Sequence, residues 1–188
     1  MRRPSSIFSK RGLTKKADVS DAHDVKVAVE AAAMRLLVGR EHSIEELRRK
    51  LTRKGYPPEF IEPVIQKLAG KRLVSDERFT TSFVHHHAKR GQGPVRIRAA
   101  LRQQGIAVAQ VEEALRSAEI DWVQLAREVR RRKFGAAVPR SLGERAKQAR
   151  FLQYRGFDAE QLRAAFRDES GEGEDAPDIA PDITFEAE

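Results

Sequence analysis

The chain has 188 residues, no cysteine, 34% charged and 40% hydrophobic residues, and a formal charge of +8 at pH 7. It is long enough for one large core or several small ones, none stapled by disulfides, and the lack of thiols fits a reducing, cytoplasmic setting. The longest apolar run, VAVEAAAMRLLV, is broken by Glu30 and Arg35 and is too short to span a bilayer, and no apolar segment follows the basic N-terminus, so a soluble, uncleaved protein is predicted.

Residues 1–23 read as a disordered basic arm. Arg2, Arg3, Lys10, Arg11, Lys15 and Lys16 stand among too few apolar residues to offset the entropy of ordering. From 24 to 167 nearly everything reads as helix, because alternating β-branched runs are absent and Ala, Leu, Arg, Glu and Gln dominate. The first unit, 24–70, holds an apolar periodic stretch over 24–40, a helix opened by Ser43 with Glu46 at capping spacing, and the corner LTRKGYPPEFIEPVI, where Pro58 suits the first position of the next helix. The second unit, 71–118, repeats the plan with a periodic stretch over 76–90, an opening Gly93-Pro94 and the corner LRQQGIAVAQVEEAL. The third, 119–167, has its stretch over 121–134, Ser141 with Glu144, and the corner LQYRGFDAEQLRAAF, in which Asp158 and Gln161 have capping-box spacing. Residues 168–188 carry nine acids and no Lys or Arg among Gly and Pro, and read as an acidic disordered tail.

The three corners align on Gly55, Gly105 and Gly156. Four residues before each stands a leucine (Leu51, Leu101, Leu152), and one residue after it Tyr56, Ile106 or Phe157. Six after come Ile61, Val111 and Leu162, and ten after, Ile65, Leu115 and Phe166. A glycine that ends a helix in the left-handed conformation explains the pattern, since the residue after it then packs on the leucine one turn back. The fold class predicted is all-α: an elongated array of three three-helix repeats with helix-turn-helix-like corners, each unit burying surface mainly against its neighbours.

Catalytic signatures are missing from this plan. His85 to His87 are consecutive, so on a helix they point about 100° apart and cannot close on one ion, and no metal site is predicted. There is no G-x-S-x-G, no phosphate loop and no dinucleotide fingerprint, and RGQGP lacks a preceding strand. Glu45-Glu46 and Glu112-Glu113 suit first-turn dipole compensation better than acid-base chemistry. Neither an enzyme nor a cofactor is predicted.

The cations carry more information. Without the last 21 residues the body holds 36 bases against 19 acids, or +17, which attracts polyanions. In the first corner helix Ile44, Leu47 and Leu51 form the inner stripe, leaving Arg48, Arg49, Arg53 and Lys54 outside. In the second, Ile97 and Leu101 face in while Arg96, Arg98 and Arg102 face out, and Arg98 shares the column of Arg48. In WVQLAREVRRRKF the stripe of Trp122, Leu125, Ala126 and Val129 turns Arg127, Arg130 and Arg131 the other way. These cations, with Arg90 before the glycine loop, are the candidate surface for a polyanion or an acidic protein. Trp122, Phe79, Phe83 and Phe134 read as core, so no base-stacking platform is expected.

HSIEELRRKLTRKGYPPEFIEPVIQKL, KRLVSDERFTTSFVHHHAKRGQGPVRIRAALRQQGI, REVRRRKFG and RAKQARFLQYRGFDAEQLRAAF resemble the RecX family of bacterial regulatory proteins across residues 25–167. Ala100 departs from the glutamate usual before that leucine, and the acidic tail lies beyond the likeness. The resemblance implies a monomer of three three-helix repeats that binds in the helical groove of the RecA recombinase filament on DNA. It further implies restraint of RecA ATPase, strand exchange and coprotease activity in recombinational repair and the SOS response, with weak DNA binding that is not sequence-specific. The alternative reading is a helix-turn-helix protein acting on nucleic acid alone. It would call for one distinctive recognition helix rather than three equivalent corners.

Overall fold

The structure, a computed structural model, describes residues 19–137 and 139–167. The expected acidic tail and residues 1–18 of the expected arm lie outside the described residues. The described residues form α-helices and no strand: α1 (Val19–Gly39), α2 (Ile44–Arg53), α3 (Pro58–Gly70), α4 (Asp76–Lys89), α5 (Pro94–Gln103), α6 (Val108–Ser117), α7 (Trp122–Phe134), α8 (Leu142–Arg155) and α9 (Ala159–Phe166). One boundary moves. α1 starts at Val19, inside the stretch read as arm, because extending a helix already anchored from Val25 costs far less than nucleating one.

Helix starts follow the capping chemistry. Ser43, Ser141 and Asp158 accept from the backbone N–H groups of Glu46, Glu144 and Gln161, and Gln161 closes a full capping box. Ser75 and Asp121 cap α4 and α7 in the same way, at positions the sequence reading had not singled out. The three corner glycines have φ of +88°, +78° and +88°. At each corner the residue after the glycine donates its N–H to the leucine carbonyl one turn back: Tyr56 to Leu51 at 3.3 Å, Ile106 to Leu101 at 3.2 Å and Phe157 to Leu152 at 3.1 Å. This is the six-to-one bond of a Schellman cap. The turn after α3 has the same bond, Leu73 N–H to Leu68 O at 2.8 Å, but reaches it through Arg72 at φ +55°, so no glycine betrays it in sequence.

Each repeat has its own core. Val29, Ala33, Leu47, Leu51, Ile61 and Ile65 fill the first; Val84, Ile97, Leu101, Val111 and Leu115 the second; Ala126, Leu152, Phe157, Leu162 and Phe166 the third. All the closely packed helix pairs lie within a repeat. The repeats meet instead at helix ends. The C-terminal end of α8 abuts the N-terminal end of α5, where the N–H groups of Gly93 and Val95 donate to the carbonyls of Arg155 (2.8 Å) and Gly156 (3.0 Å). The C-terminal end of α5 abuts the start of α2 in turn: Ser43 Oγ donates to Gln104 O at 3.0 Å, and Arg49 reaches the Gln104 side chain at 2.6 Å. At the α8–α5 joint orphan donors of one helix thus meet orphan carbonyls of the next, so those two dipoles run head to tail, while at the α5–α2 joint side chains supply the donors.

Candidate functional site

The two cations that share a column do the same job. Arg98 donates from Nε to Glu112 Oε1 at 2.6 Å and from Nη2 to Oε2 at 2.9 Å. Arg48 makes the matching fork to Glu62, at 2.5 and 3.1 Å, and adds a bond to Glu45. The hydrogen bond from each arginine holds its glutamate below the ordinary carboxylate range, and each arginine is raised in return. Both forks tie the second helix of a repeat to the third, so these two residues clamp corners, and their charge is largely answered within the protein.

Other candidates are drawn into the joints and the core. Arg49 and Arg96 cross between repeats, Arg96 donating to Tyr154 O at 3.1 Å. Arg127 donates to Ala164 O at 3.1 Å, at the end of α9. Arg130, expected on the outer side of α7, is only 5% exposed: Nη1 reaches Gln148 Oε1 at 3.4 Å and Ala137 O at 3.3 Å, and its guanidinium lies 5.8 Å from the centre of the Phe166 ring. The helical stripe gave no sign that Gln148 of α8, the loop after α7 and Phe166 of α9 would enclose a side chain leaving the opposite face. Arg53, Lys54, Arg90 and Arg102 are exposed and make no ion pair among the described residues; Arg131 is exposed as well.

Three further cations that the sequence reading passed over, two exposed and one half-buried, stand with this set. Arg132, Lys133 and Arg155 gather with Arg90 around a cleft between the second and third repeats. The run RRRKF was the available signal, and sorting α7 into two faces hid it, because the last turn of a helix projects cations in several directions at once.

The histidines divide differently. His85 and His86 are exposed, while His87 stacks on Phe83, ring centres 3.8 Å apart, with Nδ1 at 2.6 Å from Gln92 Oε1. Burial lowers its pKa, against the opposing effect of the Gln92 bond. His42 is buried beside Glu46, with Nδ1 at 2.9 Å from Arg40 O and Nε2 at 2.9 Å from Lys50 Nζ. Burial alone would raise Glu46, but hydrogen bonds from Arg40 and Lys50 outweigh it and hold the carboxylate below its ordinary range. This cluster braces the α1–α2 corner.

The chain matches the first, second and third three-helix domains of RecX over residues 31–68, 75–115 and 119–166. It belongs to the RecX family. It is 48% identical over 147 residues to the regulatory protein RecX of Halorhodospira halophila, covering 78% of this chain and 91% of that protein. It is 45% identical over 139 residues to the regulatory protein RecX of Pseudomonas savastanoi pv. phaseolicola, covering 74% and 90%. The crystal structure of RecX from Lactobacillus salivarius superposes with a TM-score of 0.65 at 21% identity, over 76% of this chain and 95% of that one. A second regulatory protein RecX gives 0.64 at 23%, over 78% and 76%. At those identities the likeness to solved structures concerns the fold. Among the described residues no helix is long and apolar enough to cross a membrane.

Proposed function

We propose that this chain is a regulator of the RecA recombinase, binding the RecA filament on DNA in its helical groove and restraining ATP hydrolysis, strand exchange and coprotease activity. The observation that carries the reading is the family match across all three repeats, in a chain that gathers Arg90, Arg132, Lys133 and Arg155 where two repeats meet. A serial array of small cores joined end to end suits a long curved groove, and unpaired Arg and Lys suit a groove carrying phosphate and acidic protein surface. The protein acts as a monomer in the cytoplasm and by occupancy, with no turnover of its own.

RecA-dependent ATP hydrolysis on single-stranded DNA, with and without the protein, tests this. Hydrolysis should fall with added protein, and the protein alone should hydrolyse neither ATP nor DNA. Unchanged hydrolysis at concentrations that saturate the DNA would sink the reading and leave a nucleic-acid binder.

A further inference from the structure

We infer that the cleft between the second and third repeats is a phosphate site that takes a backbone phosphodiester of nucleic acid. It is lined by Arg90, Arg132, Lys133 and Arg155, over a floor of Val129 and Phe151. The cleft has a volume of about 130 Å3. Pockets that enclose whole small molecules run to about 300–1,000 Å3, so this one receives a single group of a larger ligand.

The obvious structural role for these cations is to compensate helix dipoles, and it falls short of explaining them. Arg90 is the residue that ends α4, Arg132 and Lys133 lie in the last turn of α7, and Arg155 closes α8. Three C-terminal ends, each equivalent to roughly half a negative charge, call for about 1.5 positive charges. Four cations converge, so the cleft carries an excess of about 2.5. Among the described residues no Asp or Glu lines it and none of the four makes an ion pair, whereas Arg40, Arg48, Arg78 and Arg98 each have a carboxylate partner.

The cleft is also built in advance. Arg155 donates from Nη1 to Arg90 O at 3.2 Å and lies 5.2 Å above the centre of the Phe151 ring, so its planar fork is oriented before a ligand arrives. Gly91 forms part of the wall and packs so closely on Val129 that a Cβ there would fall 2.7 Å from a methyl group. The joint beside it is fixed by the bond from Gly93 N–H to Arg155 O. Convergent guanidinium and ammonium donors without any base-reading or carboxylate-sorting group match the tetrahedral, repeating charge of a phosphodiester chain.

The inference rests on the reading that this chain meets nucleic acid in a filament, and the two are tested apart. Binding of the full chain to a fluorescein-labelled oligothymidylate is followed by anisotropy across a salt series, with no recombinase present. Arg132→Gln with Lys133→Gln should weaken binding and flatten the slope of log affinity against log salt by about 0.7 for each phosphate the cleft neutralises. Lys26→Gln with Arg35→Gln, two exposed cations of α1, removes the same charge and should leave the slope unchanged. Arg90→Gln is a second cleft variant with the same expected direction, and circular dichroism checks the fold of each. Equal slopes for cleft and α1 variants would overturn the site. So would displacement of the oligonucleotide by poly-glutamate as readily as by polyphosphate, which would make the ligand an acidic protein. The RecA hydrolysis assay reports separately: inhibition by the native chain with a cleft that fails the slope test removes the site alone, and DNA binding through the cleft without inhibition removes the regulator alone.

Discussion

Arg98 and Glu112 face each other across the second corner, and Arg48 and Glu62 repeat the pair across the first, each pair standing seven residues before and seven after its corner glycine. In the third repeat the same columns hold Ala149, which is buried, and Arg163, which is exposed. The first two corners are thus pinned by an ion pair, while the third is closed by apolar packing.

A double-mutant cycle on Arg98→Gln and Glu112→Gln should give a coupling of about 0.2–1 kcal/mol, the range for pairs open to solvent. Glu112 is depressed in the folded protein, so its contribution is present above its ordinary value of 4.5 and is lost as pH falls below that through the folded value. Chemical denaturation at pH 7 and at pH 3 should show a smaller coupling at the second. A cycle with no coupling at pH 7 would mean the fork is not populated in solution.

The corner glycines should differ in their tolerance of a side chain. At Gly55, φ is +88° and the added Cβ meets nothing within 4 Å, so Gly55→Ala should cost only the left-handed penalty of about 1–2 kcal/mol. At Gly156 the same Cβ would lie 2.3 Å from Arg96 Cβ and 2.5 Å from Arg96 N, so Gly156→Ala should cost clearly more and loosen the joint between α8 and α5. Gly105→Val combines a φ of +78° with a Cβ placed 2.9 Å from Glu45 Cβ, and should destabilise the middle of the array by more than about 1 kcal/mol. Urea titrations of the three variants rank them, and equal losses for Gly55→Ala and Gly156→Ala would contradict the joint.

Arg130 and Arg131 are neighbours in sequence with opposite environments. Arg130→Gln removes a buried guanidinium and should lower stability by more than about 1 kcal/mol, and by more than Arg131→Gln, which changes an exposed position. Thermal melts of both variants check this. Binding losses in Arg130→Gln should track unfolding rather than lost contact, so its affinity at a temperature where it is fully folded should match that of the native chain.

Residues 168–188 bring nine acids close in sequence to a body of +17. Tethering should give the segment a high effective concentration at the chain's own Arg and Lys side chains, where it is expected to compete with phosphate. Deleting it should tighten oligonucleotide binding at low salt, with the two proteins converging as salt shortens the screening length. Identical affinities at low salt would leave the tail only a role in solubility.

The sequence by itself determined the helices, the corners and the count of repeats. Those depend on local chemistry: a glycine at positive φ, a leucine one turn back, a Ser or Asp before an apolar stripe, all within a few residues of one another. The caps at Ser75 and Asp121 were equally local, while the left-handed turn at Arg72 had no glycine to mark it. The fate of the cations was decided only by tertiary structure. Arg48 and Arg98 shared a column on an outer face, and whether a column is a binding surface or a clamp depends on what the next helix places opposite. Arg130 was buried by α8 and the loop after α7, Arg49 found Gln104 across a joint, and Arg155 found the carbonyl of Arg90 in another repeat. A helical period fixes the direction in which a side chain leaves its own axis. Whether that direction leads to water, to a carboxylate or to another cation depends on how the repeats are joined, through groups far apart in sequence.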